Sequence, residues 1–178
     1  MAADPEITEL VRGAGLIGAP TSEADDLWSW PLRPAVDLAK EVGARLILAD
    51  MSTRSMWTTP YGTGEFGADR GAPYSDGTVA VSKDELRLLG HDILIRQLDD
   101  AEAAGVEASM WLANRPGILA LDRFLELFPI EVLVTPPLDH PTLAGRIRQD
   151  EIQSVRRRMD GRTLLIADQD GVLRIDRD

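Results

Sequence analysis

LAKEVGARLILAD, residues 38–50, is the stretch on which the fold turns. Leu38, Ala39 and Val42 recur at helical spacing, Gly43 stands where a helix takes a left-handed cap, and Leu46 to Ala49 are apolar without a break. A strand apolar on both faces is covered on both, which is the condition of an inner strand in a parallel sheet. Helices and apolar strands alternate on either side of it, with no internal repeat.

Upstream, AGLIGAP (14–20) reads as a short buried strand, after a poorly anchored helical turn at 5–12. TSEADDLWSW (21–30) supplies Thr21, Ser22 and two aspartates for a turn and a helix start, and a helix over 30–42 keeps Pro34 in its first turn, where the missing N–H costs little. Downstream, Ser82 and Glu85 form a capping box that opens one apolar-striped helix from 82 to Gly105. VEASMWLA (106–113) is a strand, a helix follows over 117–128, and IEVLVTPP (130–137) is a strand stopped by two prolines. A helix at 142–159 precedes RTLLIADQDGVLRID (162–176), two strands around an Asp-Gly turn, so that the last strand runs antiparallel to its neighbour. This alternation predicts an α/β fold: a doubly wound, mainly parallel five-stranded sheet with helices on both faces and a C-terminal antiparallel strand, in one domain over 1–178. Between the second strand and Ser82 the period fails, and residues 51–82 read as a long irregular loop.

Composition bounds the function. Among 178 residues, 44% are hydrophobic and the formal charge is −11, which suits a globular protein and opposes a general grip on phosphate backbones. No cysteine is present, which removes thiol catalysis and thiolate metal sites, and the two histidines, His91 and His140, are too few for a histidine-rich zinc centre. The acidic start MAADPEITEL lacks the apolar run of a secretory signal, and no stretch has the length of a membrane span. The expectation is a soluble, cytoplasmic protein that binds neither nucleic acid nor membrane.

The segment SEADDLWSWPLRPAVDLAKEVGARLILADMS (22–52) resembles the opening of a universal stress protein, with LAKEVGARLILA (38–49) as its nearest run. LDDAEAAGVEASMWLANRPGILALDRFLELFPIEVLVTP (98–136) is similar to a later part of that family. The resemblance implies an adenine-nucleotide-binding type of α/β fold, a ligand crevice at the strand-order reversal and pairing into a homodimer through the last strand, VLRID (172–176). It also exposes departures. ATP-binding members carry an aspartate just after the first strand, where this chain has APTS (19–22), and Asp25 and Asp26 come several residues later. Their G-x2-G-x9-G-[ST] phosphate loop corresponds here to TPPLDHPTLAGRIRQDEIQS (135–154), which holds one glycine, Gly145, and places two prolines where backbone amides would wrap phosphate. The expectation is a divergent member with no resident cofactor, acting through binding rather than catalysis. Its small-molecule ligand would touch Thr21, Ser22, Thr135, His140 and Arg146. Two alternatives remain: ATP or AMP binding through a rearranged loop in which arginines replace glycine amides, and an enzyme or regulator of another family on the same fold.

Other motifs have plain readings beside their sharp ones. GTGEFG (62–67) has the letters of a dinucleotide fingerprint but neither the strand before it nor the helix after it. His140, beside Asp139, would lie at the crevice mouth as a ligand contact or base, or else as an exposed loop histidine. His91, among Asp84, Arg87 and Asp92, reads as part of a solvated helix face. Arg146, Arg148, Arg156, Arg157, Arg158 and Arg162 would meet an anion, or else pair with Asp150, Glu151 and Asp160. DQDG (168–171) reads as a hairpin turn rather than half a calcium loop. Trp57, Tyr61, Phe66 and Tyr74 in the long loop would lid the crevice, cover a partner or cover their own domain.

Overall fold

The computed structural model describes residues 4–24, 26–52, 80–113, 117–140 and 149–176. The reading of 51–82 as an irregular loop, with its aromatic residues and GTGEFG, therefore falls almost wholly outside the described residues, as do Arg146 and Arg148. Helix α1 (Pro5–Leu10) leads to β1 (Leu16–Thr21), a 3-10 turn (Leu27–Ser29), α2 (Leu32–Val42) and β2 (Arg45–Asp50). Then come α3 (Lys83–Leu88), α4 (Asp92–Ala103), β3 (Ala108–Leu112), α5 (Ile118–Leu127) and β4 (Val132–Thr135). Helix α6 (Gln149–Arg158), β5 (Thr163–Ala167) and β6 (Leu173–Ile175) close the order.

The sheet runs β3-β2-β1-β4-β5-β6, with β6 alone antiparallel, so the expected parallel sheet with one reversed C-terminal strand is what forms. Period-two alternation sorts the strand residues into two cores. On one face Leu46, Leu48, Met110, Val132, Val134 and Leu165 pack under α1, α2, α3 and α4. On the other Ile47, Trp111, Leu133 and Leu164 meet α5, α6 and the 3-10 turn, with Phe124 stacked 5.6 Å from Trp111. Trp111 and Phe124 are 1% and 0% exposed; each such ring contributes several kcal/mol of burial, at about 25 cal/mol per Å² of apolar surface.

Two local expectations change. The first helix is not poorly anchored, because Ile7 and Val11 are both 3% exposed in the first core. The single helix expected over 82–105 is two, since Gly90 at φ 78 turns the chain in a region closed to other residues. Its capping box is as expected, with the Ser82 hydroxyl accepting from the Glu85 amide at 3.2 Å and the Ser82 amide donating to the Glu85 carboxylate at 2.8 Å. Gly43, at φ 72, ends α2 as the sequence requires. Among the described residues no helix is long and apolar enough to cross a membrane.

Candidate functional site

The chain leaves β1 toward β2 on one side and returns as β4 on the other, so β1 and β4 are where strand order reverses. Ligands of open α/β sheets bind beyond the carboxyl ends of the strands at such a point. Strand β1 pairs with β2 along its whole length, from Leu16 to Thr21, but with β4 only at Ile17 and Gly18. Beyond Gly18 the two strands part. Pro20 has no N–H to offer across that gap.

Both expected residues of β1 and its turn are buried, Thr21 at 0% and Ser22 at 1% exposure. Neither hydroxyl is spare. Thr21 Oγ1 donates to Gln97 Oε1 of α4 at 2.9 Å, and Gln97 Nε2 donates to the Ser22 carbonyl at 3.0 Å. Ser22 Oγ accepts from the Ala24 amide and lies 3.3 Å from Asp26 Oδ2. Asp26 itself caps the 3-10 turn, accepting from the Trp28 amide at 3.0 Å, so this carboxylate has a structural use. Asp25 lies outside the described residues.

Thr135, at the end of β4, is 0% exposed, and its hydroxyl has no hydrogen-bond partner among the described residues. Alternation along β4 gives it the face of Leu133, the α5 and α6 side, while Thr21 faces α4. Of the five expected residues, Thr21 and Thr135 thus fall on opposite faces of the sheet. Pro136 and Pro137 follow, and His140 sets its ring 5.5 Å from that of Trp30, edge-on at 87°. Trp30 precedes α2, so this contact joins the connection after β1 to the loop after β4. Arg146 lies outside the described residues.

Sequence reasoning missed a second polar group at the same edge. His91 is 6% exposed, not part of a solvated face: its Nδ1 lies 3.0 Å from Glu23 Oε1. The break at Gly90 turns this residue inward at the start of α4. Asp50, the last residue of β2, is 4% exposed and accepts from the Ser52 hydroxyl at 2.7 Å and amide at 3.0 Å. Burial pushes the Asp50 carboxyl above its ordinary range; the two bonds from Ser52 and the charge of His91 pull it back, and the Glu23 charge raises it. The signal in the sequence was Asp50 at the end of an otherwise apolar run.

Three of the described arginines reach across elements, while Arg157 Nε donates to the Gln153 carbonyl of its own helix. Arg156 Nε donates to Asp176 at 3.1 Å, Arg158 Nε to Asp122 at 2.6 Å, and Arg162 Nη1 to the Ile130 carbonyl at 3.0 Å. Burial raises the Asp122 carboxyl, but Arg158 and the Ser154 hydroxyl outweigh it and hold it below its ordinary value. At 168–171 the chain makes the expected hairpin turn, with Asp168 Oδ1 accepting from the Asp170 and Val172 amides. Among the described residues no cluster of three acidic or histidine side chains could hold a metal ion.

No family model matches the chain, and no curated protein does. Among solved structures it is similar to a universal stress protein crystallised in complex with cAMP, at 18% identity and TM-score 0.51, over 88% of this chain and 98% of that one. It is also similar to a universal stress family protein from Burkholderia pseudomallei (19% identity, 81% of this chain and 89% of that one, TM-score 0.42). A universal stress protein from Archaeoglobus fulgidus gives 12% identity, 79% and 84% coverage and TM-score 0.43. The first of these likenesses defines the class: the chain has the fold of the universal stress proteins.

Proposed function

We propose that this protein is a divergent, cytoplasmic universal-stress-type binding protein that takes a small molecule in the crevice between β1 and β4 and acts without catalysis. The observation that carries this reading is the parting of β1 and β4 after Gly18 and Leu133, at the reversal of strand order, with the buried Thr135 hydroxyl left for a partner. A polar group buried without a partner costs about 1–3 kcal/mol, and a ligand atom bonded to it recovers that cost. The loop after β4 begins Pro136-Pro137, which removes two amides from the wrapping of a phosphate. Pairing of two copies through the exposed edge of β6 belongs to the same proposal.

A second reading, nucleotide binding with arginines as phosphate donors, is favoured by the neighbour in complex with cAMP. Against it, Arg156, Arg158 and Arg162 are already engaged with Asp176, Asp122 and the Ile130 carbonyl. Thermal-shift titration with ATP, ADP, AMP and cAMP, with and without magnesium, separates the two. Under our reading ATP gives no saturable rise. A rise of the size expected at a hundredfold excess over Kd, about 2.7 kcal/mol, would establish the nucleotide reading and make Arg146 the next target. Loss of a positive response in Thr135→Val would place whichever ligand binds at the crevice.

A further inference from the structure

We propose that the cavity at the amino ends of β1, β4 and β5 binds an aliphatic α-amino acid as its zwitterion, with Arg162 taking the carboxylate, Glu131 the ammonium group and Leu10 the side chain. The cavity has a volume of about 300 Å³ and is lined by the turn after α1, at Gly13, and the turn before β5, at Gly161. That is the lower end of the range for small-molecule sites and suits a ligand of few heavy atoms. It stands at the end of the sheet opposite Thr21 and Thr135, so the proposal is independent of any ligand there.

Two opposite charges line this cavity without neutralising each other. Val132 is in register with Thr163, so Glu131 and Arg162 are neighbours on adjoining chain segments. Backbone bonds draw them apart. Glu131 Oε1 accepts from the Gly15 amide at 3.0 Å, while Arg162 Nη1 donates to the Ile130 carbonyl at 3.0 Å. Among the described residues neither side chain has a second bond or an ion pair. Glu131 therefore keeps one carboxylate oxygen, and Arg162 keeps four of its five N–H groups. Arg12, the other cation at the cavity, is exposed and paired with Glu9. A zwitterion satisfies both open groups at once, whereas a simple anion would face Glu131 and a simple cation Arg162. The apolar part follows from Leu10, which lines the cavity and is 50% exposed, unlike the buried Ile7 and Val11 beside it. An aliphatic side chain laid on Leu10 would remove apolar surface of both from water, and that burial separates leucine from glycine as a ligand. Because backbone bonds already fix both charged groups, little ordering cost remains, and a Kd on the order of 1 mM is expected.

The test is titration of the isotope-labelled full chain with L-leucine to about 20 mM, followed by amide NMR. The Gly13, Gly15, Gly161 and Thr163 amides should shift saturably, while those of Ser22 and Thr135, at the far end of the sheet, stay in place. Leucinamide, which lacks the carboxylate, and N-acetyl-leucine, which lacks the ammonium group, should each bind at least about tenfold more weakly, and glycine several-fold more weakly. Arg162→Gln and Glu131→Gln should each weaken L-leucine by at least about tenfold. No saturable shift at the cavity amides, shifts confined to the far end, equal affinity for L-leucine and any of the three analogues, or unchanged affinity in either variant would overturn the proposal. The analogues carry the test on the native chain should a variant fail to fold.

Discussion

The carboxyl ends of β1 and β4 are neighbours at the reversal of strand order, yet they are built in opposite ways. At β1 every buried polar side chain has a protein partner: Thr21 and Ser22 are held through Gln97 and Asp26. At β4 the equally buried Thr135 hydroxyl has none among the described residues, and two prolines follow it. A saturated edge is a scaffold, and an unsatisfied one is where a ligand gains most. The difference is between a strand end held by α4 and one that, under the proposed function, a ligand would complete.

The contrast can be broken by mutation. Gln97→Leu should have the largest effect, because it leaves the Thr21 hydroxyl and the Ser22 carbonyl unsatisfied in one step; we expect a loss of about 2–4 kcal/mol in urea unfolding. Little change would mean that the β1 end is not held by α4. Gly18→Ala acts at the seam itself, where an added Cβ would lie 2.5 Å from Ile130 Cδ1 and 3.0 Å from Phe124 Cε1. The overpacking should cost about 1–3 kcal/mol. The two threonines give the sharpest pair. Thr21→Val should cost about 1–2 kcal/mol, while Thr135→Val, which keeps shape and deletes an unpartnered hydroxyl, should be neutral or stabilising by up to about 1 kcal/mol. Equal costs at both positions would erase the asymmetry.

The smallest effect expected is the pH signature of Asp50. Its folded-state carboxyl titrates above the unfolded one, so the folded protein takes up a proton first. That contribution to stability is fully present below the unfolded pKa and lost as pH rises through the folded one. Asp50→Asn should therefore melt higher than the native chain at neutral pH, with the gap closing as pH falls into the carboxylate range. A gap independent of pH would mean that burial of the charge is not what strains this position.

Much of the site's frame was legible from local pattern. The uninterrupted apolar run of β2, Gly43 and the Ser82–Glu85 box each act within a few residues, so their spacing declares them. His91 did not, because whether a helix-start histidine faces water depends on the turn made at Gly90 and on a glutamate far away in sequence. Arg156 and Arg158 were illegible for the same reason: they reach Asp176 and Asp122, acids distant in sequence. Thr21 and Thr135 read alike as threonines ending buried strands, and only strand parity and the position of Gln97 separate a bonded hydroxyl from an unpartnered one.

By itself, the sequence determined the alternation of helices and buried strands, their caps and stops, and the parallel sheet that follows, since these arise from period, propensity and backbone chemistry near each residue. Tertiary structure alone decided the order β3-β2-β1-β4-β5-β6, the point where the β1–β4 pairing ends, and the meeting of Glu23 and His91. Those depend on which faces of distant elements pack together, and the free energy of that packing is shared by the whole core rather than carried by any one segment.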